Sequence, residues 1–449
     1  MSRLLAGHGP VLALLPFALL ACEPGAIAIG DKAGDTGLAD TDTTDTDDTD
    51  PSDDTDTTGD TDTTGDTDTG GPDDTGDTDQ GPIIPTYDIL VDCEGGGDFL
   101  TIQEAIDAAV SGDRIALAPC EYHERIDYLG KYLDIYGIEG SAETVIDADY
   151  GGTAVDVEGA ESDFTRLAGV SVEDGYDPAG GSALEVHYAS LKLEDVVFAG
   201  NGESYAVAML TVGWVDMIDV VFEDNDILPG GQAIFADGGS LSATNLRADC
   251  GAGDYALWQH NATLLLDNEL TCDAGYGLYS YHGELQVKRS RIEGGISGIY
   301  AYDELDTPSE RAYVYNSVIG GGVEGARFEY MSVYLANNVF WGADAGVVFL
   351  ANDPSSWLLS NVFVGAACGI STDAAYTAAY NGFWNTAAEG CGVTPTASVS
   401  GDPGFVAFPD DLTIAGSSPL VDAGYPDATW NDLDGTRNDI GITGGRWAE

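Results

Sequence analysis

The chain has 449 residues, of which 78 are acidic and 15 are basic, and its formal net charge is −63. This charge excludes nucleic acid and anionic membrane surfaces as direct partners, because both are polyanions. An acidic polysaccharide would approach only through bridging cations, which makes Ca²⁺ a possible cofactor. No cysteine or histidine spacing indicates a metal site, and no other cofactor is predicted.

Residues 1–21 have the pattern of an export signal peptide. Arg3 supplies a positive charge, and residues 10–21 form an apolar stretch that is too short to span a bilayer. The stretch ends in Leu19-Leu20-Ala21-Cys22, which resembles the lipobox of bacterial lipoproteins. This resemblance implies a lipidated N-terminus over 22–30, anchored through Cys22 at the outer membrane or cell surface. The alternative is an ordinary signal peptide with a chance cysteine.

Residues 31–84 are predicted to form a disordered stalk. The segment 31–80 consists of Asp-Thr repeats with nineteen aspartates and no aromatic residue. Such a segment cannot bury enough apolar surface to offset its loss of entropy on ordering, and its like charges repel one another. A calcium-binding array is the alternative, but the segment lacks the Gly and Glu positions of a calcium loop.

The folded domain, predicted over 85–449, opens with a strand and a short helix. Thr101 and Glu104 make a capping box at the start of this helix. One apolar stripe runs along it, formed by Ile102, Ala105, Ile106 and Ala109. The pattern predicts a short α-helix at the N-terminal end of the domain.

An internal repeat of about two dozen residues indicates the fold. A first track of strand segments begins at Val155, Leu184, Val207, Ile234, Leu257, Leu278, Ile299, Ala326, Val347 and Ile370. A second track passes through Val197, Val221, Leu246, Leu270, Ile292, Val318, Val339, Val362 and Phe383. Two tracks at a nearly constant offset predict a coil whose strands stack in parallel on those of its neighbours. Asparagines recur beside the second track and are predicted to stack at a turn: Asn268, Asn316, Asn338, Asn361 and Asn381.

The six remaining cysteines allow fifteen pairings, and the repeat selects one of them. Cys368 and Cys391 each lie two residues before an apolar position, Ile370 and Val393, which predicts that they stack one coil apart. Cys250 and Cys272 nearly stack, and Cys93 and Cys120 each follow a strand end. The predicted disulfides are therefore Cys93–Cys120, Cys250–Cys272 and Cys368–Cys391.

Two regions resemble the pectin-lyase-like β-helix superfamily. Residues 97–106 and 118–124 are similar to the opening of pectin methylesterases, with Tyr122 and Glu124 at a Tyr-x-Glu motif. Residues 418–424 and 434–441 look like the tail of many secreted bacterial β-helix proteins. With the repeat, the resemblance implies an all-β, right-handed parallel β-helix of roughly 11 to 12 coils, capped by the short N-terminal α-helix. It says little about activity, because this fold serves many functions.

The resemblance does not extend to a known active site. Gln232 matches the first catalytic glutamine of pectin methylesterases, but the next coils read Asp254–Trp258 and Tyr276–Tyr279, without the Gln-Asp pair and the nucleophilic Asp. Gln232 is then predicted to be a turn residue. A pectate-lyase mechanism needs carboxylates that bind calcium and, beside them, a basic residue that takes the proton. Arg327 and the Lys288/Arg289/Arg291 group are the only candidates for that basic residue. A uronate-epimerase resemblance fails, because Asp177-Pro178 lacks the following His.

Strand alternation predicts which residues of the first track face outward. The outward pairs include Ala208/Leu210, Phe235/Asp237, Trp258/His260, Tyr279/Tyr281, Tyr300/Tyr302 and Arg327/Glu329. We define the aromatic strip as Phe235, Trp258, His260, Tyr279, Tyr281, Tyr300 and Tyr302. Exposed rings with hydroxyl or indole groups suit stacking on sugars and hydrogen bonding. The alternative is that the rings merely cross-pair on a β surface, or are covered by the polar insertion at 303–311.

Three functions are compatible with this sequence. The preferred one is a surface-anchored lipoprotein that binds a polysaccharide or cell-surface glycan through the aromatic strip. The second is a polysaccharide lyase or glycoside hydrolase on the same face, with the candidate catalytic residues Asp237, His260, Arg327 and Glu329. The third is a structural or adhesive surface protein without catalytic activity.

Overall fold

A computed structural model describes residues 86–160, 165–303 and 310–448. The predicted signal peptide, Cys22 and the Asp/Thr stalk lie outside these residues. Within the described ranges, no helix is long and apolar enough to cross a membrane.

The described strands form a parallel β-solenoid of about 13 turns. Strands of successive coils pair in parallel, as when Leu257 lies opposite Leu278, which in turn lies opposite Ile299. This confirms the predicted all-β parallel β-helix, with more turns than predicted. The additional turns come from residues 89–147, which precede the part of the chain where the sequence repeat is regular.

Each coil contains three strand tracks rather than two. The first-track strands are Ile126–Asp127, Val155–Glu158, Gly181–His187, Ser204–Thr211, Tyr276–Tyr281, Ser297–Tyr302, Glu324–Glu329, Ala345–Leu350, Cys368–Thr372 and Ala388–Cys391. The second-track strands are Cys120–His123, Thr144–Asp147, Arg247–Asp249, Glu269–Cys272, Arg291–Gly294, Val318–Gly321, Val339–Trp341, Val362–Val364, Gly382–Trp384 and Val399–Ser400. The third-track strands are Ile89–Val91, Arg114–Leu117, Asp134–Gly137, Leu285–Lys288, Arg311–Tyr315, Ser332–Ala336, Trp357–Leu359 and Thr377–Ala379.

Five longer strands run from one track into the next without a break. Arg166–Glu173, Ser190–Ala199 and Trp214–Glu223 join the third track to the second, whereas Ile227–Thr244 and Tyr255–Leu266 join the first track to the third. In each of these coils one boundary of the third track is missing, because the second track follows it or the first track precedes it without a break. This is the physical reason why the sequence indicated only two tracks.

The observed strand pairing corrects the predicted inward residue in one coil of the first track. Ala208, not Val207, lies opposite Ile234, so Met209 and Thr211 face outward instead of the predicted Ala208 and Leu210. The segment around Val207 is continuously apolar, and the pairing is irregular between Ala206 and Ala208. No polar residue therefore fixed the alternation in the sequence.

Several predicted positions of the second track are also shifted by one residue. The inward, fully buried residues are Ile319, Phe340 and Phe363, rather than the preceding valines. Val318, Val339 and Val362 lie on the outer side, where Leu412, Leu420 and Ile440 of the C-terminal segment pack against them. An apolar outer face has the same sequence pattern as an inner face, which explains why the prediction is shifted by one residue.

The predicted N-terminal helix is confirmed as Ile102–Ala108, and its buried residues are Ile102, Ala105 and Ile106. The Thr101 side chain accepts a hydrogen bond from the Glu104 N–H at 3.3 Å. Glu124 of the Tyr-x-Glu motif accepts from the N–H groups of Ile102 at 2.6 Å and Gln103 at 2.8 Å. A carboxylate at a helix N-terminus is also favoured by the helix dipole.

The outer edge of the first strand is covered by the loop that follows it. Ile89–Val91 pairs with Arg114–Leu117 on one side. On its other side the Leu90 N–H donates to the Asp98 carboxylate at 3.0 Å, and the Leu90 carbonyl accepts from the Asp98 N–H at 2.7 Å. The Cys93–Cys120 disulfide ties this loop to the next coil.

The three predicted disulfides are present. The Cα atoms are 6.5 Å apart in Cys93–Cys120, 5.0 Å in Cys250–Cys272 and 6.2 Å in Cys368–Cys391. The predicted register of the last pair is wrong, because Gly390 rather than Val393 lies opposite Ile370. Gly390 has no side chain, so the apolar pattern points instead to the nearest apolar residue, Val393.

A polar ladder crosses the coils beside the second track, as predicted for the asparagines. Asn361 donates through Nδ2 to Asn381 Oδ1 at 3.2 Å, and its own Oδ1 accepts from Asn338 Nδ2 at 2.9 Å. Ser290 and Ser317 continue the ladder toward Asn268. Asn316 is not part of it, since its side chain donates to the C-terminal segment at the Ile442 and Gly444 carbonyls.

Replacing Asn361 by alanine is expected to lower the free energy of unfolding by about 2 kcal/mol, because buried partners on two coils lose their hydrogen bonds. These partners include the Leu335 carbonyl and the Asn338 N–H. Urea unfolding followed by circular dichroism measures the change. The matched control is Asn361→Ser, which we expect to cost less because serine already occupies this ladder at Ser290 and Ser317. Equal losses in the two variants would contradict the ladder role.

The C-terminal segment supplies a pH-dependent contact. Burial, together with the carboxylates of Asp432, Asp422 and Asp434, raises the pKa of Asp439 to about 6. The folded state therefore binds a proton more tightly than the unfolded chain, so this contribution to stability is present below about pH 4 and is lost as the pH rises through about 6. The change should be about 1 kcal/mol or less, since Asp439 is partly exposed. Asp439→Asn should flatten the melting-temperature profile over this range, whereas an unchanged profile would contradict the assignment.

Candidate functional site

The structure places the aromatic strip on the outward side of the first track. Trp258 lies opposite Phe235 and Tyr279, and Tyr279 lies opposite Tyr300. A parallel column beside them contains His260, Tyr281 and Tyr302. All seven side chains are partly exposed, whereas the inward residues between them are buried: Leu257, Gln259, Leu278, Ser280, Ile299 and Ala301.

The rings of the strip stack on one another. The ring centroids of Phe235 and Trp258 are 4.6 Å apart at an interplanar angle of 14°, and those of Trp258 and Tyr279 are 6.4 Å apart at 8°. The orientation changes at the next step, where Tyr279 and Tyr300 make an angle of 80°. Because stacked rings cover one another's faces, the strip presents mainly ring edges, whereas the sequence suggested flat faces for sugar stacking. An outward tyrosine carries its hydroxyl at that edge.

Two further tyrosines, which strand alternation does not predict to face outward, join the strip. Tyr255 lies opposite Tyr276, with ring centroids 5.6 Å apart, and each ring meets Tyr279 edge to face. They were missed because Ala256 and Leu257 are both buried, so the strand departs from strict alternation. The usable signal was the repeat itself, since Tyr255 and Tyr276 recur at the same spacing as Trp258 and Tyr279.

Four of these residues, Tyr255, Tyr276, Tyr279 and Tyr300, form what we call the tyrosine patch. Their hydroxyls have no hydrogen-bond partner among the residues that the structure describes. Burial raises the pKa of each, and that of Tyr300 reaches about 12. All four hydroxyls are therefore un-ionised at neutral pH, and each offers one hydrogen-bond donor together with acceptor lone pairs.

Two histidine–carboxylate pairs border the strip. His260 Nδ1 lies 2.7 Å from Asp237 Oδ1, and His282 Nδ1 lies 2.8 Å from the fully buried Asp303. The two imidazole rings are 5.7 Å apart. The structure therefore brings together the predicted candidates Asp237 and His260, and it adds His282. No sequence pattern points to His282, because it lies in a turn with a φ of 55°, one residue beyond the outward pair Tyr279/Tyr281.

The other two candidate catalytic residues lie one coil beyond Tyr300. Arg327 is opposite Tyr300, and its guanidinium pairs with Glu324 on one side and with Glu329 at 3.1 Å on the other. Hydrogen bonds that the guanidinium donates to these two carboxylates raise the pKa of Arg327, which keeps the guanidinium protonated. The coils that carry Phe235, Trp258, Tyr279 and Tyr300 lie between the Arg327 group and the earlier coils of the first track.

Gln232 does not lie on the exposed face, and of the insertion at 303–311 the first residue, Asp303, reaches the border of the strip through His282. Gln232 is buried within the strand Ile227–Thr244, so its predicted position in a turn is wrong. Most of the insertion, residues 304–309, lies outside the described residues.

One group of side chains in the described ranges brings its ligand atoms close enough to hold a metal ion. Glu121, His123 and Asp147 have these atoms within 4.8 Å of one another. They lie on the second track near the N-terminal end of the solenoid, away from the aromatic strip. His123 pairs with Asp147 at 2.9 Å, which accounts for the cluster without an ion.

No protein-family model and no characterised relative matches the sequence. Three solved structures are similar, and the first is the pectate lyase Pel9A, with 11% identity, a TM-score of 0.39 and coverage of 80% of this chain and 96% of that chain. A pectin methylesterase from carrot has 12% identity and a TM-score of 0.30, with coverage of 69% of this chain and 88% of that chain. The A-module of the mannuronan C-5 epimerase AlgE4 of Azotobacter vinelandii has 15% identity and a TM-score of 0.33, with coverage of 70% of this chain and 95% of that chain. At these values the class rests on the parallel ladders of this chain, which define a parallel β-helix.

Proposed function

We propose that this chain binds a polysaccharide on the outward face of its first track. The observation that carries the proposal is the tyrosine patch beside Trp258, where four partly exposed, un-ionised hydroxyls lack hydrogen-bond partners among the described residues. Sugar hydroxyls are both donors and acceptors, and they match such a row of phenol groups. Apolar ring edges beside these groups suit the C–H surfaces of a sugar ring.

We also propose that this binding domain lies outside the cell. Residues 1–21 act as a signal peptide, Cys22 as the lipidated residue and residues 31–84 as the stalk between the membrane and the β-helix. The three disulfides support an oxidising compartment. Metabolic labelling with a palmitate analogue, compared between the natural chain and Cys22→Ser, tests the anchor.

A glycan array probed with the full chain, with and without Ca²⁺, tests the binding proposal. We expect a set of related polysaccharides to bind in both conditions, because the tyrosine patch needs no metal. No binding to any polysaccharide would leave the structural or adhesive alternative. Binding only with Ca²⁺ would instead support bridging by the cation.

A hydrolase on the same face is the second candidate, and the His260–Asp237 pair favours it. A carboxylate at Nδ1 orients an imidazole and supports its use as a general base. Arg327 does not serve a lyase in this way, because its raised pKa opposes the loss of a proton. Release of reducing sugar that is lost in both His260→Ala and Asp237→Asn would establish the enzyme, whereas binding without product would support recognition alone.

A further inference from the structure

The outward face of the first track is acidic along the described part of the solenoid. Its strands carry eight acidic residues, none of them buried, and a single basic residue, Arg327. The acidic residues are Asp127, Asp156, Glu158, Glu185, Asp237, Glu324, Glu329 and Glu389. Acidic groups therefore precede the aromatic strip along the solenoid, border it at Asp237, and follow it at Glu324 and Glu329.

The one arginine does not reverse this charge. Glu324 holds two of its guanidinium nitrogens, and Glu329 holds a third at 3.1 Å. Two carboxylates on one guanidinium leave this group with a net negative charge. A carboxylate or sulfate on a ligand at Tyr300 would therefore meet repulsion instead of an ion pair.

The carboxylates at the N-terminal end of the face act in the same direction. Asp127, Asp156 and Glu185 lie opposite one another on three successive coils. Three carboxylates in register on neighbouring strands repel one another. Burial, together with the carboxylates of Asp127 and Glu185, raises the pKa of Asp156. An anionic polymer running along the face would add to that repulsion over several coils.

The rings also fix the direction of the ligand. Trp258, Tyr279 and Tyr300 follow one another along the solenoid axis, with about 4.8 Å between neighbouring strands. This spacing is close to the length of one sugar unit in an extended chain. A linear chain lying parallel to the axis would therefore meet a new ring on each coil.

From this charge and spacing we infer that the ligand is an uncharged, linear polysaccharide rather than a uronate-containing or sulfated one. The inference rests on the proposed polysaccharide-binding function and specifies its substrate class. The hydroxyls of the tyrosine patch supply the polar contacts, and the surrounding carboxylates exclude polyanions.

A matched pair of ligands tests this inference. The full chain is titrated by calorimetry with hexagalacturonic acid, with its fully methyl-esterified form, and with cellohexaose as a second uncharged oligosaccharide. At low ionic strength the uncharged oligosaccharides should bind at least about tenfold more tightly than the acid. The difference should narrow at high ionic strength. Trp258→Ala should weaken the binding, which locates it on the strip.

The double variant Glu324→Gln with Glu329→Gln provides the second readout. It frees the Arg327 guanidinium, so the affinity for hexagalacturonic acid should rise several-fold while that for cellohexaose stays nearly constant. Equal or tighter binding of the acid by the natural chain, with or without Ca²⁺, would overturn the inference and keep the proposed function. Binding of none of the three ligands, together with no binding on the glycan array, would overturn both.

Discussion

Trp258→Ala is expected to lower the affinity for the bound polysaccharide by about tenfold to a hundredfold. Trp258 stacks between Phe235 and Tyr279, so its removal takes away the largest ring and loosens both neighbours. Large aromatic residues at the centre of a binding surface commonly contribute 2 kcal/mol or more. Calorimetric titration with a polysaccharide identified on the array measures the loss.

The matched control for this variant is Trp214→Ala. Trp214 is 38% exposed and begins a strand that runs from the third track to the second, so it lies off the aromatic strip. Its removal should leave the affinity within about twofold of the natural value. Similar losses for Trp214→Ala and Trp258→Ala would place binding elsewhere or show a general loss of structure, which circular dichroism would reveal.

Phe363→Ala is expected to lower the free energy of unfolding by about 3–5 kcal/mol. Phe363 is fully buried, and its ring stacks between Phe340 at 5.5 Å and Phe383 at 5.3 Å. Truncation to alanine leaves a cavity between the rings of the two neighbouring coils, and these rings cannot close the gap without breaking the strand register. Urea unfolding followed by circular dichroism measures the change.

Two controls frame this result. Phe363→Leu keeps most of the buried volume, so it should cost clearly less than the alanine variant. Leu264→Ala removes a side chain that is 38% exposed on the third track, and it should change stability by less than about 0.5 kcal/mol. A cost for Phe363→Ala no larger than for Leu264→Ala would show that this column is not a continuous core.

The sequence predicts the fold of this chain well because every coil needs an apolar residue at the same inward position. Leu257, Leu278 and Ile299 recur at one spacing, and each must fill the same inner position. The predicted inward residue is wrong where the sequence does not distinguish the inner face of a strand from its outer face. Val339 was assigned inward because the outer face beneath the C-terminal segment is apolar as well, and no pattern within a single strand separates the two faces.

The site was less predictable, because its properties depend on side-chain directions that alternation does not give. Trp258 and Tyr279 were placed correctly on the outer face, whereas their stacking on one another is decided by rotamers. Tyr255 was missed where the strand bends past two consecutive buried residues. The double pairing of Arg327 depends on Glu324, which lies three residues earlier and was not among the predicted outward pairs.

The loop that covers the first strand has a consequence for self-association. A stack of coils ends in a strand whose free backbone groups would otherwise accept the last coil of another molecule, and such contacts propagate into filaments. Here Asp98 already occupies the N–H and the carbonyl of Leu90. The chain therefore blocks the addition of a further parallel strand at that end.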